Sequence, residues 1–325
     1  MNYKIAVVIP SYKVRNHLLD VLAKIGPEVS KIYVVDDCCP HGSGDFVTKN
    51  CLDPRVTVLM NSTNQGVGGA VLTGYQQAIQ NDMDIIVKLD GDGQMDPALI
   101  PLFVEPLVKG DADYTKGNRF FDLESVRTMP KTRLLGNAVL SFMTKFSSGY
   151  WNIFDPTNGY TAIHANVANL LPMEKISRRY FFESDMLFRL NTLRAVVVDI
   201  PMEAQYGDEE SNLKISKILF EFLFKHCRNF LKRIFYNYYL RDLSLASFEL
   251  PISVFLILFG ASFGFYNWVI STSSGIATSA GTVMLSALPI LVGLQFLLAF
   301  VGYDIALTPS RPIHNVLKSK RRDVQ

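Results

Sequence analysis

Asp90-Gly91-Asp92, with Gln94 behind it, is the segment of this sequence best suited to do chemistry. Gly91 separates two carboxylates and permits a sharp turn, so both can approach one hard divalent cation that bridges a diphosphate. A plain acidic loop has the same spacing, and both readings stand at this point. Asp36 and Asp37 end the apolar run IYVV, where a carboxylate can accept hydrogen bonds from a base or ribose, or cap a loop. Asn64-Gln65-Gly66-Val67-Gly68-Gly69 is neither a G-x-G-x-x-G fingerprint nor a Walker loop. Its glycines allow close backbone approach to a ligand or to a sheet, and a simple helix-entry turn uses the same residues. Glu183 and Asp185 in FFESDMLFRL read as structural carboxylates or as acids aimed into a cleft. Tyr150 and Trp151 either shape access for a second substrate or pack a core. The five histidines form no H-x-x-H or H-E-x-x-H site, and most of them read as solvent or interface residues. Cys38, Cys39, Cys51 and Cys227 show no ligand-like or thioredoxin-like spacing.

These residues need a scaffold, and the pattern supplies one. Lys4–Ile9, Lys31–Val35, Val56–Met60 and Asp84–Leu89 are short apolar runs that predict strands. Helical periodicity over Arg15–Ile25, Gly66–Asn81 and Pro97–Val108 alternates with them, and Val196–Ile200 is a later strand. That order predicts an α/β domain with a mostly parallel sheet covered by helices on both faces. The acidic turn then lies at the carboxyl end of a parallel strand, where open α/β sheets place ligands.

The last third is of another kind. Leu250–Ile270 carries no charged side chain, and these residues reach about 31 Å as a helix, against a hydrocarbon core of roughly 30 Å. Val283–Tyr303 is a second uncharged run, and the connector Ser271–Thr282 is small and polar. Gly260 and Gly264 have the small-xxx-small spacing of close helix contacts, although glycine is generally common in membrane helices. Lys214, Lys217, Lys225, Arg228, Lys232, Arg233 and Arg241 precede the first span, and Arg311, Lys318, Lys320, Arg321 and Arg322 follow the second. The positive-inside rule then places both termini in the cytoplasm. Stripes at Ile215, Ile218, Leu219, Phe222 and at Leu231, Ile234, Phe235, Tyr238 predict basic amphipathic helices at the membrane interface. Met1–Pro10 reads as the first strand rather than as a signal peptide. The net charge of +2 is accounted for at a membrane surface and gives no case for nucleic acid. The expected organisation is a catalytic domain over 1–211, interfacial helices over 212–242, a transmembrane hairpin over 243–306 and a basic tail over 307–325.

VVIPSYK, VVDDCCPHGSG, NQGVGGAV, KLDGDGQMDP, KGNRF, DPTNGYTAI and YGDEESNLK, taken in order, resemble the GT-A fold, family-2 glycosyltransferases that load sugars onto polyprenyl phosphate. This group includes dolichyl-phosphate mannose synthase and bacterial bactoprenol glucosyltransferases, and the paired spans resemble the bacterial branch. The resemblance covers about Ile5 to Lys214. It implies a nucleotide pocket begun by Pro10, with Asp37 on the nucleoside and Asp36 beside it. It implies Mg²⁺ or Mn²⁺ on Asp90 and Asp92, aided by Gln94. Asp155 then occupies the place of the acceptor-side aspartate often assigned as general base, and Arg119 that of a basic residue near the transferred group. Arg133, Asn137 and Lys214 resemble contacts to the lipid phosphate. Thr157-Asn158 stands where the pattern has a serine before the glycine, and Asn118 where serine or alanine is frequent.

The reaction so implied is inverting transfer of a hexose, UDP-glucose being the favoured donor, to undecaprenyl phosphate at the inner membrane. GDP-mannose or a UDP-N-acetylhexosamine are the alternative donors. A phosphate monoester has its second pKa near 6, so the acceptor is already largely anionic at neutral pH. Orientation and electrostatics therefore suit Asp155 better than obligatory proton abstraction. A processive polysaccharide synthase lacks support, because there are two spans and no QxxRW-like sequence; a non-enzymatic scaffold sits badly with Asp90, Asp92 and Asp155. A two-helix hairpin offers little intramembrane packing, which makes a homo-oligomer expected, with a tetramer as the family pattern.

Overall fold

In the computed structural model, the described residues are 3–121, 131–203 and 215–322, without the side chains of 131–133, 215–219 and 318–322. The chain divides into two compact units, residues 1–230 with 309–325, and residues 231–308.

In the first unit, β1 (Ile5–Ser11), β2 (Val29–Asp36), β3 (Val56–Met60) and β4 (Ile85–Lys88) alternate with α1 (Arg15–Ala23), α2 (Ser43–Asn50) and α3 (Val67–Gln80). A short 3₁₀ turn leads into α4 (Ile100–Lys109), followed by β5 (Tyr114–Asn118), α5 (Lys131–Ser148), β6 (Thr161–His164), α6 (Ala165–Ala168), α7 (Phe182–Thr192) and β7 (Val197–Pro201). Among the described residues, seven strands form one sheet in the order β3-β2-β1-β4-β6-β5-β7. β6 alone runs against its neighbours β4 and β5. The apolar runs form strands because both faces are covered: Ala6, Val8, Tyr33 and Ile86 join one core, and Val7, Ile9, Val34 and Val87 the other. The strand order reverses between β1 and β4, which puts a crevice at their carboxyl ends. Ser11 pairs with Asp36 and Val8 with Lys88, so the residues just beyond these strands converge there.

Three of the histidines are not on the surface as the spacing implied: His164, His226 and His314 are buried. His226 Nδ1 lies 2.7 Å from Ser147 Oγ, and burial pushes its imidazole down to about 4. His314 opens α11 (Ile313–Arg322) and stacks on His164 with ring centroids 4.5 Å apart. Its Nδ1 is 2.7 Å from Asp113 Oδ1, and Asp113 also accepts the backbone N–H groups of Ile313, His314 and Val196. One carboxylate thus satisfies two orphan donors of a helix N-terminus and ties the tail to the sheet. Burial alone would raise the Asp113 carboxyl, but the His314 ring and these N–H donors hold it below the ordinary 3.8. A depressed carboxylate stabilises the fold above its unfolded value, and that contribution is lost as pH falls through the folded one. Asp113→Ala is expected to cost about 3 kcal/mol, since it strands a buried partner. A lowered melting temperature near neutral pH, converging with the parent as pH falls through the depressed folded value, is the expected reading.

α8 (Ile215–Phe235) begins in the first unit and ends in the second, where a π-helical turn over Tyr236–Arg241, α9 (Ala246–Ser274) and α10 (Ala280–Ala306) follow. The two amphipathic stripes thus belong to one helix and its π-turn rather than to two helices. Gly260 and Gly264 are used within the hairpin: a methyl group on either would collide with Ser286, whose hydroxyl donates to Gly260 O at 3.0 Å. Asp304, in the last turn of α10, accepts Arg233 Nη1 at 2.6 Å and Tyr238 Oη at 2.6 Å.

Candidate functional site

The crevice at the β1/β4 switch opens into a cavity of about 1170 Å³. Pro10, Asp37, Asp90, Asp92 and Asn137, all expected on sequence grounds, line it. Asp36 and Gln94 do not line it, and only Gln94 braces a residue that does. Asp36 Oδ1 and Oδ2 accept Cys39 N and Gly44 N at 2.7 and 2.6 Å, which fixes the loop after β2. The Gln94 N–H donates to Asp92 Oδ1 at 3.0 Å, holding the acidic turn closed. The side chain of Arg133 and all of Lys214 lie outside the described residues.

Asp37 is buried and ties β2 to the glycine loop. It accepts Asn61 Nδ2 and Gln65 N on Oδ1, and Gly66 N on Oδ2 at 2.7 Å. Gly66 sits at φ +85° in the left-handed region, where glycine is favoured. Close approach at the glycines includes a neighbouring segment: Cβ atoms at Gly66 and Gly68 would strike Arg178 O, Ser177 O and Phe182, while Gly66 also lines the cavity. The loop therefore clasps the segment that carries α7, and α7 brings Glu183 to the cavity wall. Asp185 faces away, accepting Ser177 N, Arg189 Nε and Asn229 Nδ2. Glu183 is thus the cleft acid and Asp185 the structural one.

The residue that sequence reasoning left unassigned is Lys88. Its Nζ, on a side chain only 2% exposed, lies 2.9 Å from Asp90 Oδ1 and 3.5 Å from Glu183 Oε1. Burial would lower the ammonium, but these two carboxylates raise it above the ordinary value. Burial raises the Glu183 carboxyl, and Lys88 opposes that rise. Gly159 is small because a methyl group there would collide with Lys88 Nζ and Asp90 Oδ2. A lysine inside the run IIVKL was the available signal, since a charge on a doubly covered strand needs a buried partner.

Asp155 is buried beside the cavity without lining it. Arg119 clamps it in a fork, Nε to Oδ2 at 2.7 Å and Nη2 to Oδ1 at 3.0 Å, and Arg119 N and Asn158 Nδ2 also donate. Burial alone would raise the carboxyl, but the Arg119 fork and the charge of Lys116 hold it below 3.8. Lys116 Nζ donates to Asn158 O at 2.5 Å, and burial pushes its ammonium down to about 8. An anionic aspartate with both oxygens engaged is a poor proton acceptor and a good fixed charge.

One further wall is apolar, formed by Leu135, Val139 and Leu140 of α5 and Phe222 of α8. The acidic turn fits a divalent cation held together with a diphosphate. Both carboxylates face the cavity, and no hydrogen bond from the described residues engages Asp90 Oδ2. Among the described residues there is no group of three or more His, Cys, Asp or Glu that could hold a metal unaided. Mg²⁺ and Mn²⁺ sites built from one or two carboxylates plus substrate phosphates have this composition.

The family model described as "Glycosyl transferase family 2" matches residues 6–171. An undecaprenyl-phosphate mannosyltransferase of Micrococcus luteus is 30% identical over 214 residues, 64% of this chain and 87% of its own. A polyprenol monophosphomannose synthase of Mycolicibacterium smegmatis is 29% identical over 60% of this chain and 75% of its own. Among solved structures, glucosyl-3-phosphoglycerate synthase of Mycobacterium tuberculosis, in complex with Mn²⁺, uridine diphosphate and glucosyl-3-phosphoglycerate, has the same fold. It matches with a TM-score of 0.53 at 15% identity, over 71% of this chain and 80% of its own.

Proposed function

We propose a reaction from the premise that this chain belongs to glycosyl transferase family 2 and is a transferase enzyme with a GT-A-like α/β fold. The reaction is transfer of a hexose, with inversion, from a nucleotide-diphosphate sugar to a polyprenyl phosphate. UDP-glucose is the first donor and undecaprenyl phosphate the acceptor. The observation that carries this reading is a cavity with an acidic turn on one wall and Leu135, Val139, Leu140 and Phe222 on another. Its volume of about 1170 Å³ exceeds the roughly 300–1,000 Å³ of pockets for one ligand, which leaves room for two substrates. Two relatives named for undecaprenyl phosphate and polyprenol support the acceptor class. The same names, both of mannose transfer, make a mannosyl donor the second reading.

An oxygen of the acceptor phosphate attacks the anomeric carbon from the side opposite the diphosphate. The new C–O bond forms as the bond to the nucleoside diphosphate breaks, giving a β-linked product from an α-linked donor. Asp90 and Asp92 would hold Mg²⁺ or Mn²⁺, which when bound neutralises charge on the diphosphate. Asp37 and Pro10 bound the nucleoside end, and Asn137 faces the acceptor. The Arg119–Asp155 pair supplies fixed charge beside the transferred group.

The lipid acceptor gives α9 and α10 their purpose. At 29 and 27 residues they reach about 44 and 40 Å, more than the roughly 30 Å hydrocarbon core. Phe255, Leu258, Trp268, Leu285, Leu291 and Leu298 are exposed along them, as a lipid-facing surface requires. We read both as spans of the inner membrane, with the catalytic domain and both termini on the basic, cytoplasmic side. The test is a panel of radiolabelled UDP- and GDP-sugars offered with undecaprenyl phosphate and Mg²⁺ or Mn²⁺. Label in the organic phase from UDP-glucose is expected; product from mannose alone would select the second donor, and product from none would sink the reaction.

A further inference from the structure

The Lys88–Asp90 contact has a consequence for whatever cation the acidic turn takes. Asp90 has two oxygens. Lys88 Nζ occupies Oδ1 at 2.9 Å, from a side chain buried on β4 and unable to swing into solvent. Oδ2 is the oxygen that no hydrogen bond from the described residues engages, and it lies over Gly159, whose missing side chain makes room for it and for Lys88 Nζ. Glu183, on a different element and 13% exposed, holds the same ammonium from the other side at 3.5 Å. Phe182, next to it, packs against the glycine loop, so the position of Glu183 is set by the fold rather than by the cavity contents.

We propose that Lys88, held by Glu183, is a positioning residue that reserves one oxygen of Asp90 and makes that aspartate a one-oxygen ligand, selecting small octahedral cations over Ca²⁺. The inference rests on the donor-site reading of Asp90 and Asp92. Its physical basis is twofold. Ca²⁺ takes six to eight oxygens and uses carboxylates with both oxygens, whereas Mg²⁺ is content with single oxygens in an octahedron. The ammonium also repels a free cation, while Glu183 offsets that repulsion.

The two charges therefore act in opposite directions, which a merely structural role does not produce. Full-length protein in detergent is titrated with Mn²⁺ in the presence of uridine diphosphate, against a protein-free blank, and free Mn²⁺ is read by electron paramagnetic resonance. Lys88→Met is expected to tighten Mn²⁺ binding about tenfold and to let Ca²⁺ displace Mn²⁺ at lower concentration. Glu183→Gln, on the less buried side chain, is expected to weaken Mn²⁺ binding several-fold and to raise the Ca²⁺ concentration needed. Asp92→Ala is the control for the site itself. If Asp92→Ala abolishes binding but the two variants shift it in the same direction, or not at all, the role of Lys88 is wrong and the metal site stands. If Asp92→Ala leaves Mn²⁺ binding unchanged, the metal site is wrong and the inference goes with it. A Lys88→Met protein that does not fold leaves Glu183→Gln to decide: unchanged Mn²⁺ affinity there overturns the proposal.

Discussion

Asp92→Ala is expected to lower turnover about a thousandfold, while Asp20→Asn, an exposed acid on α1, leaves it unchanged. The contrast follows from what each carboxylate faces. Asp92 lines the cavity, and its Oδ1 is held by the Gln94 N–H, so its orientation is fixed before any substrate arrives. Asp90 is partly neutralised by Lys88. Asp92 therefore carries more of the site's negative charge toward a cation. Removing it leaves a diphosphate facing Asp90 and Glu183 with little to neutralise it as charge develops on the leaving group. Chelation of divalent cations by EDTA is expected to reproduce the loss in the parent and to add nothing in the variant. A parent enzyme that keeps full activity in EDTA would falsify the metal role of the acidic turn.

The parts of this molecule legible in the sequence are those specified locally. β1 to β4 are short, mainly apolar runs, and the acidic turn announces itself because one glycine separates two carboxylates. The two long apolar helices are legible because no charged residue lies between Glu249 and Asp304. What could not be read depends on distant pairing. β6 is four residues, Thr161–His164, and its insertion between β4 and β5 with reversed direction exists only in the register of three strands. β5 hides behind Lys116, a buried charge that breaks the apolar pattern of a covered strand. His314 looks like a tail residue until Asp113, 201 positions earlier, is found beneath it. The same holds in the site. Lys88 and Glu183 come from separate elements, and neither type nor spacing links them. Gly66 and Gly68 were legible as close-approach residues, but not what approaches them.

The second large effect belongs to the Arg119–Asp155 pair. Asp155→Asn is expected to lower turnover about a hundredfold, and Arg119→Gln by a similar factor. The double variant is expected to lose little more than either single one, because the two side chains act as one fork. The pH profile decides between roles. A proton acceptor needs a free oxygen and a carboxyl that rests near the working pH. Asp155 has neither: Arg119 Nε and Nη2 occupy both oxygens, and the guanidinium with Lys116 keeps the carboxyl below its ordinary value. Under the proposed reaction the acceptor is a phosphate monoester, which with a second pKa near 6 becomes fully dianionic well within the accessible range. A fixed-charge role predicts that the deficit of Asp155→Asn is the same at about pH 6 and about pH 9. A deficit that disappears as the phosphate loses its last proton would instead make Asp155 the base. In that case Arg119→Gln should raise the pH at which the parent's acidic limb falls, since the carboxyl would no longer be held down by the guanidinium.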